Sequence, residues 1–243
     1  MVDESFADAY LASLYDRVCP WGPDEEFYLH LIASAPRVLD VGCGTGRLLH
    51  RARDVGHGGH LVGVDPAAGM LAQARRRADV EWVDGYLPDA GFDAEFDLAV
   101  MTGHAFQVLL DDEEIRELLA AVHAALRPGG HFAFETRNPW RKEWEEWTPE
   151  QAVEVVDDAG TRIRVWPTVE SVEGELVSFT QTFSSLSWAG PKISRSTLRF
   201  VHAETLDHLL EECGFAIDER YGWWDRSLFT AASREIITVA SRR

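Results

Sequence analysis

Residues 38–46 read V-L-D-V-G-C-G-T-G, and a second apolar run, L-V-G-V-D, ends in Asp65, 19 residues after Gly46. Val38, Leu39 and Val41 form a short apolar strand. Gly42, Gly44 and Gly46 allow a tight turn and a close approach of backbone to a ligand, because they lack Cβ. Leu48, Leu49 and Ala52 open a helix. An acid at the end of the following strand can accept hydrogen bonds from both hydroxyls of a ribose. Strand, glycine turn, helix and acid-tipped strand together describe a nucleoside-binding site.

The spacing narrows the nucleoside. Dinucleotide sites use G-x-G-x-x-G, with a pyrophosphate on the helix N-terminus. Here the spacing is G-x-G-x-G, and Arg47 holds the place that a dinucleotide fingerprint gives to glycine. Asp40 precedes the turn, where its charge repels a pyrophosphate and suits an ammonium group. The run Asp40 to Gly46 resembles motif I, D/E-x-G-x-G-x-G, of the class I S-adenosylmethionine-dependent methyltransferases. The resemblance extends over nearly the whole chain: residues 36–136 look like the common core, and L-Y-D at 14–16 and the tail Y-G-W-W-D-R-S-L-F-T look like a bacterial subgroup acting mostly on small molecules. The segment 137–200 looks like the cap of the deoxysugar N-methyltransferases.

The elements that must hold these residues follow from periodicity and turn signals. Helices are predicted at 6–18 and 24–34 (Asp24 as N-cap), 45–54, 67–77, from an Asp112 cap to Leu126, and 203–213 with Gly214 as its C′ residue. Strands are predicted at 37–41, 61–65, 80–84 and 96–101. A turn at Arg127–Gly130 leads into H-F-A-F-E-T, and the last two strands are F-A-I-D-E-R-Y and R-E-I-I-T-V-A. The alternation breaks at Arg137. Three strand-like runs, T-R-I-R-V-W, L-V-S-F-T-Q-T-F and S-R-S-T-L-R-F-V, come next, separated by turn signals.

The expected fold class is therefore α/β, a Rossmann-like, doubly wound, mostly parallel sheet carrying an antiparallel β-rich cap insertion. The resemblance implies seven core strands in the order 3-2-1-4-5-7-6, the last strand antiparallel. The expected domains are 1–136 (N-terminal helices and cofactor-binding core), 137–200 (cap) and 201–243 (a helix and two strands completing the core sheet).

Ligands of open α/β sheets lie beyond the carboxyl ends of the strands. That rule and the resemblance nominate Gly42, Cys43, Gly44 and Gly46 around the methionine part of S-adenosylmethionine, with Asp40 near its ammonium. Asp65 and Pro66 fall at the ribose, with a helix N-cap as the rival role for Asp65. Met70 falls at the adenine or in the core, and Asp84 and Gly85 near the adenine amino group. Thr102 and Gly103 fall at the border between cofactor and acceptor, and Thr136, Arg137 and Asn138 at the same cleft. Tyr15 and Tyr28 are candidates to close over the cofactor. His104 is the one histidine expected at a strand end facing the cleft, and histidine titrates where a general base is useful. Cys43 also suits simple packing in the turn.

Composition excludes other classes. The formal charge of −18 repels phosphate backbones, so nucleic acid is not expected as acceptor. No apolar run nears the ~20 residues of a membrane span. The acidic N-terminus lacks a signal-peptide pattern, which points to the cytoplasm. Three scattered cysteines give neither a disulfide framework nor a metal site. The expected partner is a small-molecule acceptor, and S-adenosylhomocysteine is the expected product. The alternation of Val177, Phe179 and Phe183 serves a homodimer arm as well as a cap. A non-catalytic nucleoside-binding protein and an NAD(P) enzyme are the competing readings; Arg47 and Asp40 speak against the second.

Overall fold

The computed structural model describes residues 2–243. Two short helices, α1 (Glu4–Ala7) and α2 (Ala9–Val18), precede α3 (Pro23–Ala33). The core then alternates: β1 (Arg37–Val41), α4 (Arg47–Asp54), β2 (His60–Asp65), α5 (Ala68–Ala74), β3 (Glu81–Asp84), α6 (Leu87–Ala90), β4 (Phe96–Met101), α7 (Asp112–Ala125) and β5 (Leu126–Arg137). Three 3-10 turns between residues 139 and 151 lead to β6 (Val153–Val156), β7 (Arg162–Glu173), β8 (Leu176–Ser184) and β9 (Lys192–Arg199). The chain returns through α8 (Ala203–Glu212), β10 (Phe215–Tyr221) and β11 (Glu235–Arg242).

The first sheet has seven strands in the order β10-β11-β5-β4-β1-β2-β3. Counting core strands alone and reading from the far edge, this is the expected 3-2-1-4-5-7-6. Strands β1 to β5 pair in parallel, and β11 runs antiparallel to both β5 and β10. One face buries Phe132 and Phe134 under Ile115, Leu119, Leu206 and Leu209 of α7 and α8. The other buries Val38 and Val100 under Phe27, Tyr28, Leu48 and Leu49 of α3 and α4. Covering both faces is what a parallel sheet requires. No helix among the described residues is long and apolar enough to cross a membrane.

The second sheet is antiparallel, β6-β7-β8-β9, and contains one strand, β6, beyond the three runs expected. It packs on the N-terminal helices. Leu11 and Leu14 of α2 bury against Ile163, Val165 and Phe183. The Tyr10 hydroxyl donates to Asp157 at 2.7 Å, and Ser5 N–H donates to Ser194 at 3.0 Å.

Several local expectations shift. The predicted helix at 6–18 is broken at Asp8, whose carboxylate accepts the N–H groups of Tyr10 and Leu11 and so caps α2. α3 is capped by Gly22, with Pro23 at its first position, and Asp24 sits inside the first turn. Asp111 caps α7, accepting from Glu113 and Glu114, whereas Asp112 is already helical. Arg127–Gly130 is a bulge within β5, where Phe96 faces Leu126 but Leu98 faces His131.

Asn138 ties the end of β5 to the loop that enters β11. It is fully buried; its amide donates to the carbonyls of Ala231 at 3.2 Å and Ser233 at 2.8 Å, and its side-chain oxygen accepts from Trp140 N–H. Asn138→Ala removes both of these hydrogen bonds and empties a buried side-chain site, a cost of about 1–3 kcal/mol. Urea denaturation is expected to show that loss. A loss under about 0.5 kcal/mol, within the range of a neutral surface substitution, contradicts it.

Candidate active site

The glycine turn is built by backbone geometry. Gly42, Gly44 and Gly46 all adopt positive φ, at 69°, 54° and 73°. The reasons for glycine differ. A Cβ on Gly44 meets nothing within 4 Å, so the open space lies on the cleft side, whereas a Cβ on Gly46 runs into Trp82 at 2.4 Å. Cys43 is buried with Leu71, Ala74 and Trp82, which is the packing role.

Asp65 organises the turn. One carboxylate oxygen accepts Gly44 N–H at 2.8 Å and the other accepts Ala67 N–H at 2.7 Å. The rival role is therefore realised in modified form: Asp65 braces the entry to α5, although the N-cap residue itself is Ala67. Each oxygen keeps a further acceptor position. Burial raises the Asp65 pKa, and the two N–H donors hold it partly down.

Asp40 lies at the bottom of the same cleft, 1% exposed, and its Oδ1 has no hydrogen-bond partner among the described residues. Burial, with the neighbouring charges of Asp65 and Glu135, pushes its carboxyl well above the usual range. A buried, unpartnered carboxyl is costly. A cation brought beside it would relieve that cost, and this is the chemistry of the ammonium that the motif implies.

The other nominated residues spread around this centre. Met70 is buried with Ala12 and Ala67, and Tyr15 packs at the edge of that cluster. Tyr15 is half-buried and its hydroxyl faces Gly103, where a Cβ would come to 3.4 Å; burial raises its pKa. Pro66 is half-buried beside Asp65. Asp84 is exposed at the tip of β3, next to Asp65 in register and 3.9 Å from Arg75. Gly85 has φ 130° and open space where a Cβ would go. Thr102 is half-buried and Gly103 exposed after β4. The N-terminal helices lock onto the turn through Thr45, which donates to Asp16 at 2.8 Å, and through Arg47, which pairs with Glu25 and the Cys19 carbonyl.

Tyr28, expected over the cofactor, and Thr136, Arg137 and Asn138, expected at the cleft, are engaged as follows. Tyr28 is fully buried and donates to Glu135, so it lies beneath the cleft. Thr136 is fully buried on the opposite face of β5 from Glu135, and Asn138 is committed to the Ala231 and Ser233 carbonyls. Arg137 donates to Gln107 at 2.9 Å and pairs with Glu143 at 3.0 Å.

Sequence reasoning missed two carboxylates. Glu135, 1% exposed, accepts from Tyr28 and from His104 N–H at 2.6 Å; burial raises its pKa against those bonds and the His104 charge. Glu235, at the start of β11, holds His104 Nε2 at 3.0 Å. The signal was present in both cases: an acid inside an apolar strand run, H-F-A-F-E-T and E-I-I-T-V-A, must find a partner if it is buried. His104 itself sits in the left-handed region, φ 60°, and its Nδ1 makes no hydrogen bond to the described residues.

Comparison with known proteins agrees with this geometry. The family described as a methyltransferase domain matches residues 38–130. The Bacillus subtilis protein YqeM, named as a methyltransferase, is 25% identical over 219 residues, 85% of each chain. The 2-phytyl-1,4-naphtoquinone methyltransferase of Thermosynechococcus vestitus is 36% identical over 100 residues, 39% of this chain and 43% of that one. An S-adenosylmethionine-dependent methyltransferase from Clostridium acetobutylicum superposes with a TM-score of 0.77 at 16% identity, covering 96% of this chain and 98% of that one. An amino pentose methyltransferase from Micromonospora echinaspora, solved with S-adenosylmethionine bound, superposes with a TM-score of 0.71 at 24% identity over 97% of both chains. Residues 38–130 thus match the methyltransferase-domain family, and the whole chain has the Rossmann-like fold of S-adenosylmethionine-dependent methyltransferases.

Asp40 gives the sharpest test of the cofactor assignment. Its folded pKa lies above its unfolded value, so its burial penalty is absent below the unfolded value and grows as pH rises toward the folded one. Asp40→Asn removes that penalty. Thermal melts at neutral pH are expected to show a more stable ligand-free variant. Its affinity for S-adenosylhomocysteine is expected to fall by about 1.5–3 kcal/mol, the scale of a hydrogen bond to a charged group. An unchanged affinity contradicts the assignment.

Proposed function

We propose that this methyltransferase acts on a small molecule, moving the methyl group to a nitrogen, oxygen or carbon nucleophile by in-line displacement. The observation that carries the reading is a roof over the strand ends: α2, backed by the β6–β9 sheet, lies across the side where Asp40 and Asp65 face the cleft. A cleft roofed in this way suits an acceptor small enough to lie under the roof, and the charge of −18 disfavours a phosphate backbone. The named acceptors of relatives, an amino pentose and a naphtoquinone, are small molecules and support the same class. On this reading residues 1–136 and 201–243 hold the cofactor and 137–200 cover the acceptor.

Gly44 and Gly85 leave open space for the cofactor beside the turn of Gly42, Cys43 and Gly46, Asp40 takes its ammonium, and Asp65 and Pro66 border its ribose. Asp84 and Met70 lie toward the adenine. Tyr15, Thr102 and Gly103 border the reacting end. When bound, the cofactor supplies a methyl on a positively charged sulfur, a good leaving group. The protein then has to align the nucleophile and exclude water, effects worth up to ~7–11 kcal/mol in well-oriented systems.

His104 supplies a base where the nucleophile arrives protonated. With Nε2–H donated to Glu235, the lone pair is on Nδ1, the ring nitrogen left without a partner among the described residues. Nδ1 takes the proton, and the Glu235 carboxylate stabilises the ring once it is charged. Once a panel of small amines, phenols and carboxylates yields an acceptor, His104→Ala is expected to lower kcat about 100-fold or more. Glu235→Gln is expected to lower it about tenfold, with S-adenosylhomocysteine affinity within about twofold of wild type in both. Wild-type turnover in both variants would remove His104 from the reaction.

A further inference from the structure

A second concavity is lined by none of the residues assigned above to the cofactor or to proton transfer. It is a cavity of about 730 Å3 between the 139–151 turns and β7. Trp140, Trp144, Trp147 and Phe200 line it together with Thr168 and Val169 of β7. Its volume falls within the range of roughly 300–1,000 Å3 that holds a drug-sized molecule.

The rings are held in place. Trp144 meets Phe200 edge-on with centroids 4.5 Å apart, Trp147 lies 4.8 Å from Phe179, and Trp140 lies 4.9 Å from His202. The segment bearing them is anchored by the buried Asn138 and by Glu143, which pairs with Arg137 at 3.0 Å and Arg234 at 3.4 Å. Those guanidiniums, with His104, outweigh the burial of Glu143 and hold its pKa below the ordinary value. Even so, Trp140 remains 66% exposed. Large rings fixed in advance and left facing water lose little further freedom when a ligand covers them.

The charge around the cavity narrows the ligand. Glu145 and Glu175 both line it. Arg199 neutralises Glu175 at 2.8 Å, and Lys142, the one lining lysine, lies 3.9 Å from Glu145. The lining thus carries two carboxylates against one lysine, a balance that disfavours an anion. Flat aromatic walls favour stacking on a planar ring, and an electron-rich face also attracts a cation. The Arg137 guanidinium sits 5.4 Å from the Trp147 ring centroid and also bonds Gln107 on the turn after β4.

We propose that this cavity is a ligand site for a planar aromatic ring system, uncharged or cationic. It rests on the cavity and not on the methyl-transfer reading, so either can fail alone. The test uses 2-naphthol as the probe and 2-naphthoate as its anionic counterpart, read by ligand-observed NMR and tryptophan fluorescence on the full chain. Wild type is expected to bind 2-naphthol at least tenfold more tightly than 2-naphthoate. Trp144→Ala is expected to lose 2-naphthol binding at least tenfold. Trp140→Ala, which removes a ring already mostly in water, is expected to weaken it severalfold in a folded protein. S-adenosylhomocysteine affinity, measured on the same samples, is expected to stay within twofold in both variants. Absence of 2-naphthol binding, binding by both variants equal to wild type, or a preference for the anion overturns the proposal. So does a wild-type dimer in sedimentation that Trp140→Ala dissociates while 2-naphthol fails to bind, because the rings would then face a second copy.

Discussion

The Asp65 carboxylate is the junction on which the site depends. Its two oxygens receive Gly44 N–H and Ala67 N–H, which fixes the turn after β1 to the end of β2 and the start of α5. With that junction set, Gly44 leaves open space beside the turn, whereas Gly42 packs closely on Ala105 and Gly46 on Trp82. The N-terminal helices are then placed by the same turn, through Thr45 to Asp16 and Arg47 to Glu25. α2 in turn carries the β6–β9 sheet on its apolar face. The order of support runs from one carboxylate outward to the roof.

The interior charge has a sense. Asp40, Asp65, Glu135 and Glu235 are all buried near the carboxyl ends of the core strands or the start of β11. Glu135 is satisfied by Tyr28 and His104, and Glu235 by His104. Asp40 Oδ1 is not. Burying four acids together raises the pKa of each member that lacks enough donors, and that state costs stability. A positively charged ligand offsets the cost, which is why the acidic floor accords with a sulfonium cofactor carrying an ammonium group and would oppose a pyrophosphate.

Much of this was legible in the sequence, for physical reasons that differ by element. Motif I was legible because glycines with positive φ have few substitutes, and the core strands because residues buried on both faces leave continuous apolar runs. The order of the sheet came from resemblance, since periodicity says nothing of strand order. Helix starts slipped where two acids adjoin, as at Asp111 and Asp112, since either can serve as a cap and only the backbone decides. Arg127–Gly130 reads as a turn but is absorbed as a bulge because β4 continues to pair on both sides of it. β6 was hidden because its four residues, V-E-V-V, border an acid-rich stretch. Glu135 and Glu235 were missed because their partners lie 31 to 131 residues away along the chain; a contact of that span leaves no local pattern.

The central claim is that the buried Asp40 carboxyl is the seat of the cofactor's ammonium. Titration calorimetry of S-adenosylhomocysteine in buffers of different ionisation enthalpy, at about pH 6, counts the protons exchanged on binding. Because the ligand-free carboxyl is held above its ordinary range, a cation placed beside it must lower its pKa and expel a proton. The account predicts net proton release on binding to wild type and none on binding to Asp40→Asn. Binding to wild type without proton exchange, or with the same exchange in the variant, would contradict it.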